Sequence, residues 1–142
     1  MKNAITAAAV QFEHADGDKR ANMGKIRGFV EQAAAADVDV LVFPECCVTG
    51  YWFLRKLSRS QLIELAENLS DSPVCRELLD LSKANGMTIG AGLVEIDDDS
   101  QLFNTYVVAM PDGELKSHRK LHCFVNAEMS SGDAYTVFDT PH

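Results

Sequence analysis

The chain is short of positive charge. Its 13 Lys and Arg stand against 21 Asp and Glu, a net charge of −8. No basic stripe is available to neutralise a phosphate backbone or an anionic lipid surface, so nucleic acid and membrane are not expected partners. Long hydrophobic runs are also missing. No window approaches the roughly 20 apolar residues of a membrane span, and the apolar run after Met1-Lys2-Asn3 is too short for a secretory leader. Four cysteines, Cys46, Cys47, Cys75 and Cys123, show neither a Cys-x-x-Cys pair nor the spacing of a disulfide framework. Free, mostly buried thiols in a cytoplasmic protein are the expectation. Nine Gly and four Pro are too few for a collagen-like or low-complexity chain.

What is present is ordinary globular material: 142 residues, 46% hydrophobic and 24% charged. This fits one domain spanning residues 1–142, with no repeat or linker. Residues 4–12 read as a buried strand, and Asp16-Gly17-Asp18 supplies a turn and a helix cap. From Lys19 to Ala36, Met23, Ile26, Val30 and Ala33 recur at helical spacing. Val38 to Phe43 reads as a strand buried on both faces, ended by Pro44. Helices are predicted from Ser60, with Leu62, Leu65, Ala66 and Leu69 on one stripe, and from Ser72-Pro73 to Asn85-Gly86. Thr88 to Glu95 follows as a glycine-containing strand, then a hairpin of 103–110 and 114–119 turning at Pro111-Asp112-Gly113, then a short strand over 135–139. The order implies an α/β (α+β) domain, a mixed sheet with helices on one face, whose other face has no evident cover.

Three places carry chemistry-bearing side chains. Glu45 directly follows an apolar strand, where a rigid strand end fixes a group at a crevice, although on position alone a solvated carboxylate is the commoner case. His118 and His122 flank Arg119-Lys120-Leu121; the preceding strand argues against a helical zinc pair, and no third ligand is placed. Asp97-Asp98-Asp99 lacks the downstream ligands of a calcium loop. Glu128 lies in a polar loop. Taken together, Glu45, Lys120 and Glu128 offer two carboxylates and an ammonium at element ends, the parts of a general base and a fixed cation for a developing oxyanion. They lack a nucleophile.

Ala8-Ala9-Val10-Gln11-Phe12, Leu41-Val42-Phe43-Pro44-Glu45 with Thr49-Gly50-Tyr51, Gly90-Ala91-Gly92, Phe103-Asn104-Thr105 and Arg119-Lys120-Leu121-His122 occur in that order, followed by Glu128 and Gly132. This ordered set resembles the N-terminal half of a carbon–nitrogen hydrolase of the nitrilase superfamily. The resemblance implies half of an α-β-β-α sandwich and a Glu-Lys-Cys mechanism without a cofactor. It would make Glu45 the general base, Lys120 the cation facing the tetrahedral intermediate, and Glu128 a second carboxylate that orients Lys120 and substrate. Tyr51 would line the substrate site. Substrates would be small amides, carbamoyl compounds or nitriles.

The family's nucleophilic cysteine follows the next strand, beyond residues 137–142. The four cysteines present do not align with it, and Cys46 or Cys47 as a substitute is disfavoured because adjacent side chains diverge. The chain alone is therefore expected to be inactive, with its open sheet covered by self-association or by a complementing chain. The competing expectation is a non-catalytic binding or assembly module that keeps the carboxylate–lysine pocket.

Overall fold

The computed structural model describes residues 4–142. The elements run β1 (Ala7–Ala9), α1 (Lys19–Ala35), β2 (Val40–Val42), a 3-10 turn (Trp52–Lys56), α2 (Arg59–Leu65), α3 (Pro73–Asn85), β3 (Thr88–Ile96), β4 (Leu102–Ala109), β5 (Leu115–Arg119) and β6 (Met129–Ser130). They form one mixed sheet in the order β1-β2-β3-β4-β5, with β6 paired to β4. The first three strands are mutually parallel, β4 runs antiparallel to β3 and β5, and β6 is parallel to β4. The α+β class read from the sequence is the class observed.

Local chemistry explains the helix limits. Asp18 caps α1 by accepting from the Ala21 amide, and the expected stripe of Met23, Ile26, Val30 and Ala33 is buried. Ser58 and Gln61 form a reciprocal capping box, so α2 opens one residue earlier than expected. It ends at Leu65, because Glu67 leaves the helix to bond with β3: its amide donates to Val94 and its carbonyl accepts from Ile96. Ser72 caps α3, Pro73 starts it, and Gly86 in the left-handed region closes it.

Alternation along β3 and β4 sorts the sheet into two faces. Ile89, Ala91 and Leu93, with Val107 and Ala109, join Ile26, Val30, Val74 and Leu78 in the main core, so α1 and α3 cover this side. Val94 and Leu102 project oppositely and join Leu54, Leu62, Leu65, Val125 and Met129 in a second cluster. That cluster closes one end of the opposite face only. Near β1 and β2 the same face is open, and Val42 is 38% exposed.

Three strand expectations are corrected. The segment 4–12 is a strand only at Ala7–Ala9, because its one neighbour, β2, offers three residues before Phe43-Pro44 leaves the sheet. β2 is not buried on both faces: Leu41 is buried while Val42 is exposed. Residues 135–139 form no strand. Their backbone joins no ladder, Thr136 meets β5 only through its side chain, and Tyr135 and Val137 are 88% and 94% exposed. The short β6 lacked any pattern a two-residue strand could display. Among the described residues, no helix is long and apolar enough to cross a membrane, and no cluster of His, Cys, Asp and Glu is placed to hold a metal ion.

Candidate active site

Glu45 sits on a tight turn that β3 holds from beneath. The Phe43 amide donates to Gly90 O (2.8 Å) and the Val48 amide to Gly92 O (3.0 Å), fixing the turn at both ends. Inside it, the Gly50 amide donates to Cys46 O at 2.7 Å, and Cys46 adopts φ of 48°, a region that a side chain disfavours. Backbone is this close to backbone because residue 92 is glycine: a Cβ there would lie 2.2 Å from the Cys46 nitrogen.

Lys120 reaches the same place from the end of β5. Its amide donates to Asn104 O and its carbonyl accepts from the Gly132 amide, both at 2.8 Å. Gly132 allows this crossing, since a Cβ would stand 2.4 Å from Arg119 O. On the helix-covered face, Arg119 donates to buried Glu95, with Nη2 to Oε1 at 2.6 Å, and lies over the Phe103 ring at 3.7 Å. Thr105 Oγ1 donates to the other oxygen of Glu95 at 2.5 Å. Strand alternation then throws Lys120 to the opposite face, toward Glu45.

The two meet. Lys120 Nζ donates to Glu45 Oε1 at 2.6 Å across 75 positions of sequence. The Tyr51 and Phe124 ring centroids lie 5.7 and 5.1 Å from the same ammonium. Burial works against the charge of Lys120, but the hydrogen bond and charge of Glu45 outweigh it, with Tyr51 adding, so its pKa lies above the ordinary lysine value. Burial, and then the charge of Glu45, push the Tyr51 phenol up. The pair opens on a cavity of about 400 Å³ lined by Glu45, Asn104, Tyr106, His118, Lys120, Leu121 and His122. Tyr106 crosses its floor, donating from its hydroxyl to Phe43 O at 2.8 Å. A carboxylate and an ammonium in contact beside such a cavity combine a proton acceptor with a fixed cation.

Residues 6–142 match the family model described as carbon-nitrogen hydrolase. The chain belongs to the carbon-nitrogen hydrolase family. It is 34% identical over 124 residues to the Drosophila melanogaster nitrilase and fragile histidine triad fusion protein NitFhit, covering 87% of this chain and 26% of that protein. With the Bacillus subtilis 2-oxoglutaramate amidase it shares 32% over 120 residues, covering 84% and 43% respectively. The crystal structure of Saccharomyces cerevisiae Nit3, a member of branch 10 of the nitrilase superfamily, superposes with a TM-score of 0.81 at 28% identity, covering 97% of this chain and 52% of that one. The chain thus spans between a quarter and about half of the length of these relatives.

In this carbon-nitrogen hydrolase chain, Glu45, Lys120 and Tyr51 come together. Glu128 stands apart: it does not line the cavity, and its Oε2 faces Arg59 Nη1 at 3.5 Å. Its loop is nonetheless anchored, since Asn126 donates to Leu54 O and Leu57 O and accepts from the Glu128 amide. His118 and His122 line the cavity, and His118 Nδ1 lies 3.1 Å from Thr136 Oγ1. Sequence reasoning singled out no role for Asn104, which is buried and donates from Nδ2 to Glu45 Oε1 at 2.5 Å. The available signal was an amide side chain in a strand whose other residues, Thr105 apart, are aliphatic or aromatic.

Proposed function

We propose that this chain supplies the base and the cation of a hydrolase site for non-peptide C–N bonds in small amide, carbamoyl or nitrile substrates. The observation that carries the reading is the 2.6 Å contact of Glu45 with Lys120 beside a 400 Å³ cavity. Glu45 takes the proton of a nucleophilic thiol as its sulfur attacks the substrate carbon. Lys120 faces the oxygen that becomes negative, and Tyr51, whose ring stands 5.7 Å from that ammonium, contacts substrate. For an amide, the C–N bond breaks as the amine leaves with the proton from Glu45. The same carboxylate then deprotonates the water that hydrolyses the thioester.

The thiol comes from outside residues 1–142. Burial pushes Cys46 far above the ordinary thiol range and Cys47 up to about 12, so both stay protonated. Glu128 serves as the second carboxylate, orienting Lys120 and substrate. Among the described residues its carboxylate is paired only with Arg59, an exposed contact worth about 0–1 kcal/mol and readily exchanged. The open face beside Val42 is covered in the working protein by a second copy or a complementing chain.

The test is ammonia release from 2-oxoglutaramate by the purified protein, with an intact denaturing mass taken on the same sample. Glu45→Gln and Lys120→Met should each lower kcat/KM by at least about 100-fold. The active sample should contain a polypeptide beyond the 15.6 kDa chain. Wild-type rates in Glu45→Gln would overturn the reading. Amide binding without ammonia release in any sample would make the chain a non-catalytic binding module.

A further inference from the structure

We propose that Asn104, oriented by the thiol of Cys46, is the positioning residue of Glu45, binding one carboxylate oxygen so that the other alone is left to accept protons. The proposal rests on the reading of Glu45 as the base. Its geometric basis is a three-residue chain. Cys46 Sγ lies 3.3 Å from Asn104 Oδ1, and Asn104 Nδ2 lies 2.5 Å from Glu45 Oε1. Lys120 Nζ meets that same Oε1 at 2.6 Å. Among the described residues, both donors converge on Oε1 and none is directed at Oε2.

A side-chain amide can face either way, and chemistry decides which end meets the carboxylate. The Cys46 thiol is fully buried, and burial followed by the neighbouring charge of Glu45 keeps it protonated. A protonated thiol is a donor, so it takes the amide oxygen and leaves the NH2 for Glu45. The reverse orientation would set a carbonyl oxygen against a carboxylate. Asn104 also acts through its backbone, since its carbonyl accepts from the Lys120 amide at 2.8 Å. One buried residue of β4 therefore positions both members of the pair. This also accounts for a cysteine at position 46, beside the base yet too buried to serve as nucleophile.

The experiment compares Asn104→Leu, Asn104→Asp, Cys46→Ala and Cys46→Ser with Glu45→Gln in the protein as purified with any completing chain. Asn104→Leu and Asn104→Asp should lower kcat on the order of 10²-fold with KM changed less than about threefold, as expected for a displaced base rather than lost binding. Cys46→Ser, which keeps a donor, should retain more kcat than Cys46→Ala. A second readout needs no turnover: the side-chain 15N signal of the Lys120 ammonium, held by its ion pair in the wild type, should shift or broaden in Asn104→Leu. An inactive Glu45→Gln beside an unimpaired Asn104→Asp would overturn the role of Asn104 and leave Glu45 as base. Full activity in Glu45→Gln would remove the catalytic reading instead, and an unchanged Lys120 signal in Asn104→Leu would still overturn the positioning.

Discussion

The Cβ that Gly92 lacks would fall 2.2 Å from the backbone nitrogen of Cys46 and 3.0 Å from the Cα of Glu45. The turn carrying the candidate base is thus laid directly on the central strand, with no side chain between. Val94, two residues further along β3, pairs with Asn104 on β4. A shift of the turn therefore moves Glu45 relative to Asn104 and Lys120 together.

Gly92→Ala should destabilise the protein by about 3 kcal/mol, the upper end of the range for inserting a methyl into a packed site, because backbone rather than a flexible side chain must yield. A lower urea midpoint at unchanged m-value checks it. Stability within 0.5 kcal/mol of wild type, a margin typical of open surface sites, would show that the turn does not rest on β3.

Arg119→Leu should cost about 3 kcal/mol, because it strands the buried carboxylate of Glu95 without its cation. The lower end of the range for breaking a buried pair applies, since Thr105 still donates to Glu95. Chemical denaturation of Arg119→Leu and of the double variant with Glu95→Leu separates the terms. The double variant should recover part of the loss.

The pH dependence of the Glu45–Lys120 pair has a definite sign. The folded pKa of Lys120 lies above its unfolded value, so the unfolded state gives up the proton first. The contribution is fully present below the unfolded lysine value of about 10.4 and is lost as pH rises through the higher folded value. The difference in melting temperature between wild type and Lys120→Met should stay constant from pH 7 to 9 and shrink only in more alkaline buffer. A difference that vanished by pH 8 would contradict the pairing.

Thiol reactivity should sort the cysteines. Cys46, Cys47 and Cys75 are buried, while Cys123 is partly exposed, and burial raises all four above the ordinary thiol value. An exposed-thiol reagent at pH 8 should modify Cys123 slowly and first, and all four only in denaturant, as peptide mass mapping would show. Rapid native labelling of Cys46 would overturn its assignment as a buried donor.

Much of the fold was legible because its signals are local. The stripe on α1, the Ser72-Pro73 start and Gly86 stop of α3, and the turn at Pro111-Asp112-Gly113 each depend on residues within a few positions, and each stands where the pattern put it. Glu45 and Lys120 were legible as a carboxylate and an ammonium at strand ends.

Tertiary structure alone decided the rest. The extent of β1 depends on how many residues β2 offers it, and residues 135–139 form no strand because nothing pairs with them. The 2.6 Å contact and the orientation of Asn104 are set by which strands lie side by side, and the facing of Glu128 to Arg59 by where its loop meets α2. Residue order determined the kinds of element and the kinds of chemistry available. Which side chain meets which is a property of the sheet, because a ladder joins residues far apart in sequence and its alternation sends Arg119 and Lys120, adjacent in the chain, to opposite faces.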